Sequence, residues 1–292
     1  MSAIIQLTFD GALVRDGHRI AMRDLAQAMS GIQSAVDRAC LDVVYGNVWK
    51  HQRLRRQQYQ MAEFIVGQPT QGSYVIDFFS DFGESIVKRL KKALAEPYAE
   101  AINEGAREVY SIGHQIASRR DASQQPERLL RFEELEHTAN PLITRTYGDR
   151  SINKEFDQML TPLRREPDGT MNLYMRSSDN DFSSTYEFNS ERAKRFKEII
   201  SYRQLGEPVI YEGFLRELDR GHHRTRNFRG KFINASNDKD VVIYIESEDD
   251  FNVLSSFLQT GVRFKIIASP IIEFSSFDPN GGDIQFLDIY HG

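Results

Sequence analysis

The side chains best suited to bind an anion lie in one short stretch, residues 216–231, which we call the basic segment. Two carboxylates, Glu217 and Asp219, accompany six cations: Arg216, Arg220, Arg224, Arg226, Arg229 and Lys231. Arginine presents a planar set of donors that grips phosphate or carboxylate through two hydrogen bonds and also stacks on bases. Residues 205–292 carry nine Lys and Arg against fourteen Asp and Glu, so the basic segment reverses the charge of an acidic region.

The basic segment joins two predicted strands at the start of a C-terminal β-rich region. Alternating apolar residues and turn signals predict the order strand, strand, strand, helix, strand, strand. The predicted elements are Val209–Leu218, Phe228–Ala235, Val241–Ile245, a helix from Ser247 to Leu258, Val262–Ala268 and Asp283–Ile289. This order resembles that of an OB-type five-stranded barrel, although other small barrels and α+β folds share it.

The resemblance implies a ligand rim formed by the loop between strands one and two and the loop between strands four and five. The first loop contains the basic segment, and the second contains Phe274 and Phe277, whose rings could stack on a base. The predicted ligand-binding residues are therefore Arg220, Arg224, Arg226, Arg229, Lys231, Phe274 and Phe277. The four arginines would hold phosphates.

Two other interpretations of the basic segment stay open. Its arginines could dock on an acidic protein partner. They could instead be solvated and paired with carboxylates of the same region, such as those between Glu246 and Asp250.

Motifs for catalysis, metals and cofactors give no positive signal. None of the seven histidines forms H-x-H or H-E-x-x-H, and the adjacent pair His222 and His223 has no nearby carboxylate cluster. Glycine-rich phosphate loops and the G-x-S-x-G elbow are also absent from the sequence. We predict no cofactor, no metal and no catalytic residue, while an enzyme with a dispersed site remains a third hypothesis.

The N-terminal region predicts an α+β layer of two hairpins and long helices. Ile4–Phe9 reads as a strand, and residues 61–66 and 73–79 read as a second strand pair around a Gly- and Pro-bearing turn. Apolar residues spaced three and four apart predict a helix of about 20 residues around Leu25–Val43. The stretch from Gly83 to Arg119 reads as mostly helical.

The predicted fold class is therefore α+β with three parts. Residues 1–120 form an α+β domain with long amphipathic helices. Residues 121–204 form a helical and hairpin connecting region, and residues 205–292 form the small β-barrel.

Composition limits the class of protein and its surroundings. A 292-residue chain with 40% apolar and 27% charged residues is typical of a globular protein. The single cysteine, Cys40, excludes an internal disulfide, and no long apolar run or signal pattern is visible, so we expect a cytoplasmic location and no membrane. The net charge of −5 argues against wholesale coating of nucleic acid.

The functional prediction is a non-enzymatic binding or assembly protein whose barrel rim binds an anionic ligand. The expected ligand is single-stranded nucleic acid or a nucleotide. The alternative is a structural or regulatory subunit of a bacterial-type cytoplasmic complex that acts through protein partners or a second copy. That alternative rests on the apolar stripe of the first long helix and on the helical stretch 83–119.

Overall fold

The computed structural model describes residues 3–16, 19–67, 74–103, 112–124, 129–135, 140–177, 183–221, 228–278 and 280–291. Its strands are β1 (Ala3–Gly11), β2 (Val14–Arg15), β3 (Arg19–Ile20), β4 (Ile65–Val66), β5 (Tyr74–Ser80), β6 (Leu130–Arg131), β7 (Gly169–Arg176), β8 (Ser184–Asn189), β9 (Arg203–Leu205), β10 (Val209–Asp219), β11 (Phe228–Asn234), β12 (Lys239–Ile245), β13 (Phe264–Glu273) and β14 (Ile284–Ile289). Its α-helices are α1 (Met22–Tyr45), α2 (Glu84–Ile102), α3 (Ile112–Ser123), α4 (Phe132–Leu135), α5 (Tyr147–Met159), α6 (Thr161–Arg165), α7 (Ser190–Ile200) and α8 (Glu248–Thr260). The α+β class is confirmed.

Contacts divide the chain into two compact units that alternate along the sequence. The first unit comprises residues 1–48, 52–106 and 147–201, and the second comprises residues 49–51, 107–146 and 202–292. The predicted connecting region, 121–204, is therefore not one region. Its second half belongs to the first unit because β7 pairs directly with β1.

The first unit is built on a five-stranded sheet in the order β4-β5-β1-β7-β8. The central strand β1 is antiparallel to both β5 and β7. Its residues alternate between buried positions, such as Ile5 and Leu7, and half-exposed positions. This period of two is typical of a sheet with one face on the core. Helix α2 packs against β1 and β7, and α1 packs against α5 and α2.

Part of the apolar face of α1 is buried within its own unit. Ala28, Ile32, Ala35 and Ala39 are at most 3% exposed. At Gly31 the two helices α1 and α5 approach so closely that a Cβ would lie 2.6 Å from the backbone nitrogen of Met159. This part of the stripe is therefore occupied by the fold and is not free for self-association.

Two carboxylates on the packed helices α1 and α5, Asp37 and Glu155, have pKa values raised by burial. The charge of Asp37 also raises the pKa of Glu155, while Gln33 donates a hydrogen bond to Asp37 Oδ1 at 2.8 Å. A raised pKa means that the folded state holds the Asp37 proton more tightly than the unfolded chain does. The contribution of Asp37 to stability therefore falls as the pH rises through that range.

We expect Asp37→Asn to increase the free energy of unfolding at neutral pH, because asparagine keeps an acceptor for Gln33 without a buried charge. The increase should vanish below about pH 3, where the aspartate is protonated in both states. Urea unfolding across that pH range measures the difference. A variant less stable than the parent at pH 7 would contradict the assignment.

The second unit contains a closed barrel of the five strands β10 to β14. Its strands run in the order β10-β11-β12-β14-β13, and β10 pairs with β13 to close the barrel. Strands β12 and β14 are parallel, and the other neighbouring pairs are antiparallel. Helix α8 connects β12 to β13, as predicted for the OB-type order. Strands β6 and β9 extend the sheet beyond β10 and β13.

The termini of α8 follow local rules. Ser247 Oγ accepts a hydrogen bond from the backbone nitrogen of Asp250 at 3.1 Å, which confirms the predicted N-cap. Three acidic residues, Glu248, Asp249 and Asp250, occupy the first turn, where they complement the helix dipole. The helix ends at Gly261, which adopts a positive φ of 59°.

Candidate functional site on the outer face of the barrel

The predicted cations that the structure describes lie at the end of β10 and along β11. Arg220 follows β10, and Arg229 and Lys231 occupy alternate, outward-facing positions of β11. Arg224 and Arg226 lie outside the described residues, as do His222 and His223.

Each of these three cations has a carboxylate partner within the same unit. The strand register places Glu217 opposite Lys231 and Asp219 opposite Arg229. The resulting ion pairs measure 2.5 Å between Lys231 Nζ and Glu217 Oε2 and 3.0 Å between Arg229 Nη2 and Asp219 Oδ2. Arg220 pairs with Glu248 at 3.2 Å, within the carboxylate group that the sequence suggested. Such solvent-exposed ion pairs stabilise a fold only weakly, so they leave the cations available to a ligand.

Asp219 is held in its ionised form by its surroundings. A hydrogen bond from the Gly221 backbone nitrogen and a second from Arg229 lower the pKa of Asp219. Arg229 directs Nε and Nη2 toward this carboxylate, at 3.1 and 3.0 Å. Within the described residues the donors on Nη1 of Arg229 have no partner, so they remain for another acceptor.

The loop between β13 and β14 does not present its aromatic residues as predicted. Phe274 is only 2% exposed, and the guanidinium of Arg145 covers its ring at 4.0 Å. Phe277 is half-buried, with its ring against Gly282, where a Cβ would lie 2.3 Å from the ring. The expectation that Phe274 stacks on a base does not fit this placement, because its ring is buried in the packing of the loop.

Asp278 organises this loop from within. Its carboxylate accepts hydrogen bonds from the backbone nitrogens of Lys50 at 2.7 Å and Asn280 at 2.9 Å. Lys50 Nζ also pairs with Asp283 at 2.5 Å. Burial raises the pKa of Asp278, and these hydrogen bonds act against that increase.

A cavity of about 630 Å³ lies on the outer face of the barrel. One wall consists of side chains from β11, β12 and β14, and the opposite wall comes from α3, β9 and Ile271 on β13. The polar lining residues are Arg203, Gln204, Arg229, Tyr244, Glu246 and Gln285. Apolar residues such as Ile112, Ile116 and Phe228 complete the lining. An apolar cavity with a few converging polar groups is the usual form of a ligand site.

Strand register aligns the polar residues of this face in one row. Arg229 is opposite Tyr244, Tyr244 is opposite Gln285, and Gln285 is opposite Ser269. Ser269 is fully buried, and its hydroxyl has no hydrogen-bond partner within the described part of the chain. The row thus combines a cation, an aromatic ring and an amide on the outer face of adjacent strands.

Two arginines flank the ring of Tyr244. The guanidinium carbon of Arg203 lies 5.8 Å from the ring centroid, within the range of a cation–π contact. Arg203 is also 3.6 Å from Glu273, a longer ion pair than the one made by Arg229. Glu246, the acidic group of the lining, is 3.4 Å from Arg120 Nη2.

The sequence missed Arg203, Tyr244 and Gln285 as site residues. The alternation within β12 could have placed Tyr244 outward, since Val241, Ile243 and Ile245 face inward. The contributions of Arg203 and Gln285 depend on strand pairs that are distant in the chain, and no local signal identifies them.

Among the residues described, no group of three or more metal-ligating side chains converges, and no helix is long and apolar enough to cross a membrane. In comparisons with known proteins, no family model, no curated protein and no solved structure matches this chain.

Proposed function

We propose that this chain is a non-enzymatic binding protein whose barrel binds an anionic ligand with a planar ring, a nucleotide or single-stranded nucleic acid. The observation that carries the proposal is the cavity in which Arg203, Arg229 and Tyr244 meet. Arginine binds phosphate through charge-assisted hydrogen bonds, and aromatic side chains stack on bases. In OB-type barrels, the outer face of strands two and three is the ligand surface, and here those strands are β11 and β12.

The site differs from the predicted rim in its cations and in its aromatic residue. Of the predicted cations that the structure describes, Arg229 lines the cavity, whereas Arg220 and Lys231 do not. The aromatic platform is Tyr244 on β12 and not a phenylalanine of the loop before β14. Arg229 belongs to both versions of the site. Arg224 and Arg226 precede β11 in the sequence and remain predicted phosphate ligands.

Two neighbouring cations of β11 provide a matched test. Arg229 lines the cavity, whereas Lys231 is two residues away, faces outward and is paired with a β10 carboxylate in the same way. We expect Arg229→Gln to weaken binding of a nucleotide or oligonucleotide by about tenfold, the effect of losing a hydrogen bond to a charged group. We expect Lys231→Gln to change the affinity less than about twofold. Calorimetric titration at two salt concentrations measures both.

Three outcomes would decide this assignment. Equal losses in the two variants would show a diffuse electrostatic surface in place of the cavity. Loss only in Lys231→Gln would move the site away from the cavity. Absence of binding by the parent protein to any nucleotide or strand would overturn the proposal.

A second candidate function is a protein contact at the edge of the sheet in the first unit. The edge strand β4 exposes Ile65 at 68% and Val66 at 48%, and nearby in sequence Phe82 is 71% exposed. Exposed edge strands with apolar side chains favour pairing with another chain. Sedimentation velocity of the parent and of Ile65→Lys distinguishes the candidates, since only a protein contact at β4 makes the mass depend on this residue.

A further inference from the structure

We infer that the occupant of the barrel cavity is a single nucleotide and not an extended strand. This inference rests on the proposed function and narrows its ligand class. It follows from the size of the cavity, from the fixed wall on one side of it, and from the types of polar group that line it.

The size of the cavity fits a small molecule. Its volume of about 630 Å³ lies within the range of roughly 300–1,000 Å³ that is typical of small-molecule and cofactor sites. Proteins that bind single strands instead use open grooves that follow the backbone over several nucleotides.

The wall opposite the barrel is fixed by hydrogen bonds between α3 and β9. Leu205 donates its backbone N–H to Gln115 Oε1 at 2.9 Å, and its carbonyl accepts from Arg119 Nη2 at 3.0 Å. Leu205 also belongs to a small apolar cluster with Ile116, Ile267 and Leu287. Since both backbone groups of Leu205 are hydrogen-bonded to α3, this wall is a fixed part of the folded unit and bounds the cavity on one side.

Gln285 offers an acceptor to a base. Its side chain is 5% exposed, and its Nε2 donates to the carbonyls of Tyr244 at 3.1 Å and Phe286 at 3.3 Å. These two carbonyls fix the orientation of the amide, because only the nitrogen can donate to them. Oε1 therefore remains to accept an N–H from the edge of a base that stacks on the adjacent Tyr244.

The remaining polar groups match the other parts of a nucleotide. Nη1 of Arg229 and the guanidinium of Arg203 can hold a phosphate on either side of Tyr244. Glu246 provides a carboxylate that can accept hydrogen bonds from sugar hydroxyls, the role that acidic residues play in dinucleotide sites. The arginines would thus hold the phosphate, Tyr244 and Gln285 would bind the base, and Glu246 would bind the sugar.

The test compares mononucleotides with strands on the full chain. We would titrate the four ribonucleoside monophosphates and single-stranded homopolymers of about a dozen residues, at about 50 and 200 mM salt. We expect at least one mononucleotide to bind and strands to bind no tighter per site. The salt dependence of strand binding should match contact with one or two phosphates, a slope of about −0.7 to −1.4. Gln285→Met should weaken binding of the mononucleotide about tenfold. The unchanged control is Arg263→Gln, which alters an exposed cation of the same unit that pairs with Glu212 and does not line the cavity.

The outcomes separate this inference from the proposed function. If strands bind far tighter than mononucleotides with a steep salt slope, the single-nucleotide inference is overturned while the proposed function stands. If neither class binds, both are overturned. Should Gln285→Met fail to fold, the comparison of mononucleotides and strands on the parent protein still decides the question.

Discussion

Arg89→Met is expected to lower the free energy of unfolding by about 3–5 kcal/mol. Arg89 lies on α2 and joins carboxylates from two other helices of the first unit, Asp42 on α1 and Asp149 on α5. Its Nε donates to Asp42, and its Nη2 donates to Asp149 Oδ1 at 2.7 Å. The Arg89 and Asp42 side chains are only 13% and 11% exposed, so methionine would leave two carboxylates poorly solvated and without their cation.

The surroundings of Arg89 show which effect prevails. Burial lowers the pKa of this guanidinium. The hydrogen bonds and charges of Asp42 and Asp149 together raise the pKa by more than burial lowers it, so the net change is upward. The two carboxylates therefore more than compensate for desolvation of the cation. Breaking such a cluster by removing one member costs more than removing every charge, because the uncompensated ions remain.

Chemical denaturation of three variants measures this effect. The neighbouring residue Lys88 is the matched control, since it forms a more exposed ion pair with Glu84 on the same helix, and Lys88→Met should change stability by about 0.5 kcal/mol or less. Adding Asp42→Asn and Asp149→Asn to Arg89→Met should restore part of the loss. A loss equal to that of Lys88→Met would contradict the structural role of the cluster.

Gly213→Ala is expected to destabilise the barrel by about 3 kcal/mol or more. Gly213 is the residue at which β10 changes partners, since it is opposite Phe264 on β13 and also opposite Asn234 on β11. A Cβ there would lie 2.0 Å from the carbonyl oxygen of Ile233 and 2.7 Å from the ring of Phe232. The ring is fully buried, so neither group can move without opening the barrel.

Gly113→Ala provides the control within the same unit. Gly113 lies in α3, and within the described residues no atom would approach its added Cβ within 4 Å. Alanine is the better helix former, so a small gain of up to about 1 kcal/mol is expected. Thermal unfolding followed by circular dichroism compares the two variants. A Gly213→Ala protein as stable as the parent would show that β10 tolerates a side chain at the position where it changes partner strands.

The barrel could be predicted from sequence because its signals are local. Alternation in Val241–Ile245, the Ser247 cap and the turn signals between strands each act over a few residues. Few arrangements accommodate that order, and the closed barrel follows the predicted sequence of strand, strand, strand, helix, strand, strand.

The organisation of the first unit could not be predicted in the same way. The hairpin of β7 and β8 was visible as two strands, but its pairing with β1 is set by packing across more than 160 residues, as between Leu7 and Leu173. Likewise, the predicted helical stretch 83–119 contains α2 in the first unit and the start of α3 in the second. Periodicity shows which face of an element is buried, not which element covers it.

The candidate site was predicted in part. Arg229 was found from composition, since cations in an acidic region are conspicuous in the sequence. The carboxylates that pair with Arg229 and Lys231 lie on the preceding strand, at positions set by the strand register. The neutralisation of these cations is therefore visible only when β10 and β11 are aligned. Tyr244 and Gln285 join the site because β12 and β14 are neighbours despite the helix and strand between them.

The alternation of the two units along the chain has a consequence for how the protein is made. During synthesis β1 emerges well before its neighbour β7, which becomes available only after residues 107–146 of the other unit have left the ribosome. Contacts of such long sequence separation slow folding, because a large loop must close before they form. The strands of the barrel, by contrast, are contiguous in the chain between residues 209 and 289. The first unit is therefore expected to spend longer with an open strand edge during synthesis, when its need for chaperones is greatest.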